Sequence, residues 1–216
     1  MSFAKYRFVF FDVDSTLVTI EGIDVLAGGN PEIVRLTEAA MNGEIPLEEV
    51  YGRRLEIIRP TLRAVAALGQ QYIASLVDGA AETMATLREA GADVHLVTAG
   101  IAQAIAPLAE HLGLAARAVH AVPLSFDEDG HYAGYDRRSL LARAGGKELV
   151  VRSVLTRAKG TSAFIGDGVS DLETRPAVTL FIGFGGVQSR SRVKEGAAVF
   201  VEEPTLRAVL PYLLES

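Results

Sequence analysis

Apolar positions fall into two regimes along the chain. From Asp78 onward, short apolar runs of strand length alternate with stretches of helical period, whereas from Glu21 to Val77 only the helical period occurs. The first run, Phe8-Val9-Phe10-Phe11, has no polar interruption, which suits a strand covered on both faces, as in a parallel sheet. Further strands are predicted at 93–98, 119–122, 162–167, 178–182 and 198–201. Helices are predicted at 80–90, 101–112, 170–175, 189–196 and 204–214, with another opening at Gly145-Gly146-Lys147 and running to about Arg157. The polar stretch 124–135, which alternates around Glu128-Asp129-Gly130, reads as a hairpin. Alternating strands and helices predict an α/β fold, a right-handed, doubly wound parallel sheet of the Rossmann type.

The helical regime contains four predicted helices. Gly22 to Ala27 stops at Gly28-Gly29, and Asn30-Pro31 then supplies an N-cap and a first-turn proline for Pro31–Met41. Pro46–Ile58 and Thr61–Val77 follow, the latter with an apolar face of Leu62, Val65, Leu68, Tyr72, Ile73 and Leu76. This block is too long for an ordinary crossover. It is expected to be a small α-helical cap domain, residues 21–77, inserted into a core of residues 1–20 and 78–216.

Composition narrows the picture. A chain of 216 residues accommodates a core with one small insertion, and 49% hydrophobic with 22% charged residues is ordinary globular usage. A net charge of -6 supplies no basic face, so nucleic acid is not an expected partner. With no cysteine there are no disulfides, thiolate ligands or thiol nucleophiles. The opening residues Met1 to Arg7 lack the shape of a signal peptide, and apolar runs fall short of the roughly 20 residues a membrane span needs. A cytoplasmic protein with no membrane partner is expected, and a homodimer is left open.

Polar groups gather at predicted strand ends. Asp12 and Asp14 follow the first strand, Thr98 ends the second, and Asp167, with Asp171 after it, ends a later one. Lys147 sits at a predicted helix start. The carboxyl ends of parallel strands share one edge, so these residues can converge. A solvated turn with a capping Asp or Ser is the plain alternative for Asp12-Val13-Asp14-Ser15-Thr16. The inventory favours chemistry: carboxylates, a backbone carbonyl and waters suit Mg²⁺, while a lysine and a threonine hydroxyl suit phosphate oxygens. Without cysteine, and with no histidine beside the acids, the best nucleophile is a carboxylate that takes the phosphoryl group as an acyl phosphate. Asp14, two positions on, points the same way along an extended chain and could carry protons. His95, His111, His120 and His131 have no ligand spacing, and His95, inside an apolar run, is expected to be packed.

Asp12-Val13-Asp14-Ser15-Thr16, Thr98, Lys147 and Gly166-Asp167-Gly168-Val169-Ser170-Asp171 resemble the four motifs of the haloacid dehalogenase superfamily of phosphohydrolases. Glu21-Gly22-Ile23-Asp24, Met41-Asn42-Gly43, Arg54-Leu55, Tyr132-Ala133-Gly134, Gly145-Gly146-Lys147 and Ile182 to Gly186 narrow the resemblance to its phosphoserine phosphatase family, over nearly the whole length. The resemblance implies that Asp12 is the nucleophile and a Mg²⁺ ligand. It makes Asp14 the general acid/base, giving its carbonyl to the metal, Asp167 a further ligand, and Asp171 an orienting group behind it. Thr98 and Lys147 would neutralise the phosphoryl group. Glu21 would meet the substrate ammonium and Arg54 its carboxylate, with Met41, Ala99, Gly100 and Ser170 lining the substrate site. The implied reaction is hydrolysis of O-phospho-L-serine, closing serine synthesis.

Departures from the family pattern fall at Ala99, where the family usually carries glycine, and at Leu47 and Ser170. They bear on the substrate more than on the reaction. Competing readings are surface charges for Glu21 and Arg54, another small phosphomonoester as substrate, a phosphotransferase, and a phospho-acceptor signalling module.

Overall fold

A computed structural model describes residues 3–215. Its strands are β1 (Phe8–Phe11), β2 (Asp93–Ile101), β3 (Val119–Val122), β4 (Leu124–Phe126), β5 (Tyr132–Tyr135), β6 (Ser162–Gly166), β7 (Leu180–Phe184) and β8 (Val199–Val201). Its helices are α1 (Gly22–Leu26), α2 (Pro31–Met41), α3 (Leu47–Ile58), α4 (Leu62–Ala74), α5 (Ala80–Glu89), α6 (Ala102–His111), α7 (Gly146–Arg157), α8 (Val169–Leu172), α9 (Ser191–Gly196) and α10 (Leu210–Leu213).

Six strands form one sheet in the order β3-β2-β1-β6-β7-β8, all parallel. All four residues of β1 are buried, as an apolar strand in the middle of a covered sheet must be. Aromatic rings run across the sheet: Phe10 lies 6.4 Å from Phe164, which lies 6.3 Å from Phe181. His95 is packed as expected, its ring 5.3 Å from Phe10 and 5.5 Å from His120. Chain order reverses at β1, which pairs with β2 on one side and β6 on the other. Such a switch point is where open α/β sheets hold ligands. Asp12, Thr98 and Asp167 belong to those three neighbouring strand ends.

Helices α1 to α4 form an insert between β1 and α5. Its incoming and outgoing segments are stitched together: Val18 and Leu76 form an antiparallel bridge, Thr19 N donates to Ser75 O at 2.8 Å, and Val77 N donates to Leu17 O at 2.9 Å. That stitching ends the fourth helix at Ala74 rather than at Val77, because Ser75 to Val77 are drawn into it. The expected Asn30 cap forms, accepting from Glu32 N at 3.0 Å, and Thr61, read as the first residue of its helix, caps it instead by accepting from Ala64 N at 3.2 Å. α4 lies against α6 so closely that a Cβ on Gly69 would stand 3.1 Å from the Ala104 carbonyl oxygen.

β4 and β5 make the expected hairpin, apart from the main sheet. Its Tyr135 ring meets Tyr51 of α3 edge-on at 5.2 Å. Other boundaries differ: the strand expected at 178–182 is β7 at Leu180–Phe184, and the helix expected at 170–175 is the shorter α8, Val169–Leu172. β2 continues to Ile101, past Thr98, and the C-terminal helical stretch splits into a 3₁₀ turn at Leu206–Val209 and the short α10, where Pro211 has no N–H to give. Among the described residues, no helix is long and apolar enough to cross a membrane.

Candidate active site

Asp12 is the first residue after β1 and is buried. Beside it stands Lys147, whose Nζ lies 2.7 Å from Asp12 Oδ1 and donates to Asp171 Oδ1 at 2.7 Å. Lys147 is placed by the turn into α7, where Gly145 adopts φ 69° and a Cβ on Gly146 would collide with the Leu140 carbonyl. The Gly145-Gly146-Lys147 sequence is thus a device for bringing one cation under the carboxylates. Asp171, on α8, accepts the Gly168 N–H at 2.9 Å through its other oxygen, which fixes its orientation. Asp167 follows β6 and accepts from Thr16 Oγ1 at 3.0 Å and from Arg190 Nε at 3.1 Å.

Asp14 reaches the site differently from what strand geometry suggests. β1 ends at Phe11, and Asp14 lies in a turn that carries Ser15 into the left-handed region at φ 52°. The extended-chain premise therefore fails, yet Asp12 and Asp14 line the same pocket. Asp14 Oδ1 accepts from Tyr72 OH at 2.8 Å and from Gly22 N at 2.7 Å. Thr98 Oγ1 accepts the Gly100 N–H at 2.9 Å.

Charge in this floor is far from balanced. Among the described residues, Asp12, Asp167 and Asp171 form ion pairs with two cations, Lys147 and the largely covered Arg190, and Asp14 forms none. Burial first, then the charge of Asp12, push Asp14 up to about 7, Asp167 to about 6 and Asp171 to about 8. Burial works against the Lys147 charge, but Asp12 and Asp171 together outweigh it and raise its pKa. Oxygens of Asp12, Asp167 and Asp171 all lie within 4.8 Å of one another. Asp12 Oδ1, though within ion-pair reach of Lys147, makes no aligned hydrogen bond. Excess buried negative charge, an under-used oxygen and an all-carboxylate donor set fit a hard divalent cation.

The insert supplies the roof. Glu21 accepts from Ser15 Oγ at 2.6 Å, and burial, then Asp14 and Asp167, raise its pKa. Arg54, only 6% exposed, comes down from α3. Met41, Leu47 and Tyr51 complete the apolar lining, and Tyr51 OH donates to the Ala99 carbonyl at 2.9 Å. Ala99, Gly100 and Ser170 line the same pocket, so every residue singled out from the sequence is gathered here, with Asp167 and Asp171 beneath it. Glu21 and Arg54 are not solvated surface charges.

Three participants escape a sequence reading, Tyr72, Thr37 and Arg190, and Thr16 enters it only as part of the first motif. Tyr72 reads as one more position on an apolar face, and its hydroxyl is the only hint that it does more. Arg190 also reaches the insert, donating to Asn42 Oδ1 at 3.2 Å, while Arg192 donates to the Asn42 carbonyl at 3.0 Å.

Comparison with known proteins agrees with this geometry. The model of the haloacid dehalogenase-like hydrolases matches residues 9–174. The chain belongs to that family. Among relatives of the haloacid dehalogenase-like hydrolase now in hand, the phosphoserine phosphatase of Drosophila melanogaster is 35% identical over 202 residues, covering 91% of this chain and 75% of that one. The human phosphoserine phosphatase is 34% identical, covering 90% and 88%. A solved structure described as a phospho-aspartyl intermediate analogue of phosphoserine phosphatase superposes with a TM-score of 0.81 at 26% identity, covering 96% of this chain and 99% of that one. The haloacid dehalogenase-like match ends at Thr174, just past Asp171, and leaves Arg190 outside it.

Proposed function

We propose that this pocket hydrolyses O-phospho-L-serine to L-serine and phosphate, the final step of serine synthesis, through a phosphorylated Asp12. The carrying observation is the pairing of a phosphoryl-transfer floor with a roof that offers one partly buried carboxylate, Glu21, and one buried guanidinium, Arg54. A zwitterionic alcohol phosphate needs both. Its carboxylate suits the planar fork of Arg54 and its ammonium suits Glu21.

In the first step an Asp12 carboxylate oxygen attacks phosphorus and the bond from phosphorus to the serine oxygen breaks. Asp14 gives that oxygen its proton; with a pKa near 7 it is partly protonated at neutral pH. In the second step water attacks the aspartyl phosphate, Asp14 takes the water's proton, and Asp12 is released with phosphate. Lys147 and Thr98 meet the phosphoryl oxygens, and Lys147 keeps Asp12 in place. We propose Mg²⁺ as the metal, held by Asp12, Asp167 and the Asp14 carbonyl, with Asp171 orienting the site from behind. When bound, it neutralises phosphoryl charge. Residues 21–77 are proposed to act as the cap that shields the acyl phosphate from bulk water.

A panel of phosphomonoesters tests the substrate. O-phospho-L-serine should exceed phosphoethanolamine, which lacks the carboxylate, and sugar phosphates, which lack both charges, by at least tenfold in kcat/KM. Equal rates across the panel would remove the assignment to Glu21 and Arg54.

A further inference from the structure

Arg54 is held in an unusual way for a buried cation. Its Nη1 donates at 3.0 Å to a neutral hydroxyl, Thr37 Oγ1, on the neighbouring helix α2. Thr37 is itself buried, and its hydroxyl donates in turn to Asp24 Oδ1 at 2.7 Å, with the Ile33 carbonyl at 3.1 Å as its other acceptor. Arg54 Nε is buried and has no hydrogen-bond partner. The guanidinium carbon lies 5.9 Å from the centre of the Tyr51 ring.

A guanidinium in direct contact with Asp24 would be fully paired, and an incoming carboxylate would have to displace its partner. A guanidinium with no counter-charge would be expensive to bury. Thr37 sets a compromise. It holds the Asp24 charge one hydroxyl away, so that Arg54 is oriented and partly compensated while its unpartnered N–H groups stay free for a ligand. Both Thr37 and Arg54 line the pocket.

We propose that Thr37 and Asp24 are positioning residues for substrate specificity: together they aim Arg54 at the α-carboxylate of the substrate and keep it unpaired until that carboxylate arrives. This rests on the reading of Arg54 as the carboxylate's partner. The relay acts on binding and leaves the phosphoryl chemistry at Asp12 alone.

The test is steady-state kinetics with O-phospho-L-serine and phosphoethanolamine on the intact chain. Thr37→Val should raise KM for O-phospho-L-serine by about tenfold, the scale of one charge-assisted hydrogen bond, with kcat within about twofold. Phosphoethanolamine kinetics should be unchanged, and Thr37→Ser should restore the wild-type KM. Asp24→Asn, which keeps shape and hydrogen-bonding capacity, should raise KM selectively in the same way and serves if Thr37→Val fails to fold. Equal losses for both substrates, or no rescue by serine, would overturn the proposal and reduce Thr37 to a packing residue. Arg54→Lys is the control for the underlying reading. If it fails to discriminate the two substrates, the carboxylate assignment is wrong; if it discriminates and neither Thr37→Val nor Asp24→Asn does, the relay alone is wrong.

Discussion

The floor and the roof of this pocket are built on different terms. The floor stands at the ends of three adjacent strands around the buried β1, and Asp167, Asp171 and Lys147 are each held by two or more short contacts. The roof is a helical insert joined to the core by backbone stitching at its two ends, by the packing of α4 on α6 and of Tyr51 on Tyr135, and by polar side-chain links. Floor groups must hold their positions relative to the phosphorus to within a fraction of an ångström through both steps, so rigidity serves them. In the proposed hydrolysis the roof groups admit a phosphate ester and release its alcohol, and seams made of a few side-chain hydrogen bonds open cheaply. On this ground we propose that the floor carries the chemistry and the insert the selection.

Breaking the floor should have the largest effect. Asp12→Asn keeps the shape and removes the nucleophile, so kcat should fall by about 10⁴-fold or more and no phosphate should be incorporated covalently. Folding should survive, because Lys147 keeps its bond to Asp171. Rapid-quench trapping with labelled substrate checks both points, and near-normal turnover would remove Asp12 from its role.

Loosening the roof should cost much less. Arg192 is exposed and contributes only its bonds to the carbonyls of Asn42, at 3.0 Å, and Gly43, at 3.3 Å. Arg192→Gln removes about 1 kcal/mol of hydrogen bonding. Amide exchange around residues 39–45 should quicken about fivefold, with KM rising by a similar factor and kcat little changed. Unaltered exchange there would mean that this seam does not hold the insert down.

The same division governs what the amino-acid sequence made legible. Phe8–Phe11, the Asn30-Pro31 cap and the Gly145-Gly146-Lys147 turn are local signals, and each formed where expected because neighbours in sequence decide it. The strand-end acids were legible because parallel topology brings such ends together whatever lies between them. Asp14 was placed correctly on an incorrect premise, since a turn rather than a strand delivers it. The unseen partners are those whose meaning depends on a distant residue: Tyr72 on Asp14, 58 positions away, and Arg190 on Asn42, 148 positions away. No spacing rule reports such pairs.

Tyr72 is one of the places where roof and floor touch, and it gives the smallest and most specific effect. Its hydroxyl donates to Asp14 Oδ1 at 2.8 Å, stabilising the carboxylate form, while burial and Asp12 raise the Asp14 pKa to about 7. Because the first step needs protonated Asp14, its rate should be full well below that pKa and fall as pH rises through it. Tyr72→Phe withdraws one donor and leaves the Gly22 N–H bond in place. The Asp14 pKa should then rise further, moving the alkaline limb of single-turnover phosphorylation upward. A bond worth about 1 kcal/mol corresponds to roughly 0.7 of a pH unit. If the roof merely covers the floor, the limb will stay where it is and only KM will change. A limb displaced upward, at unchanged affinity for substrate, requires that α4 tune the proton carrier directly, so that the insert takes part in the chemistry through this hydroxyl as well as through the Gly22 N–H.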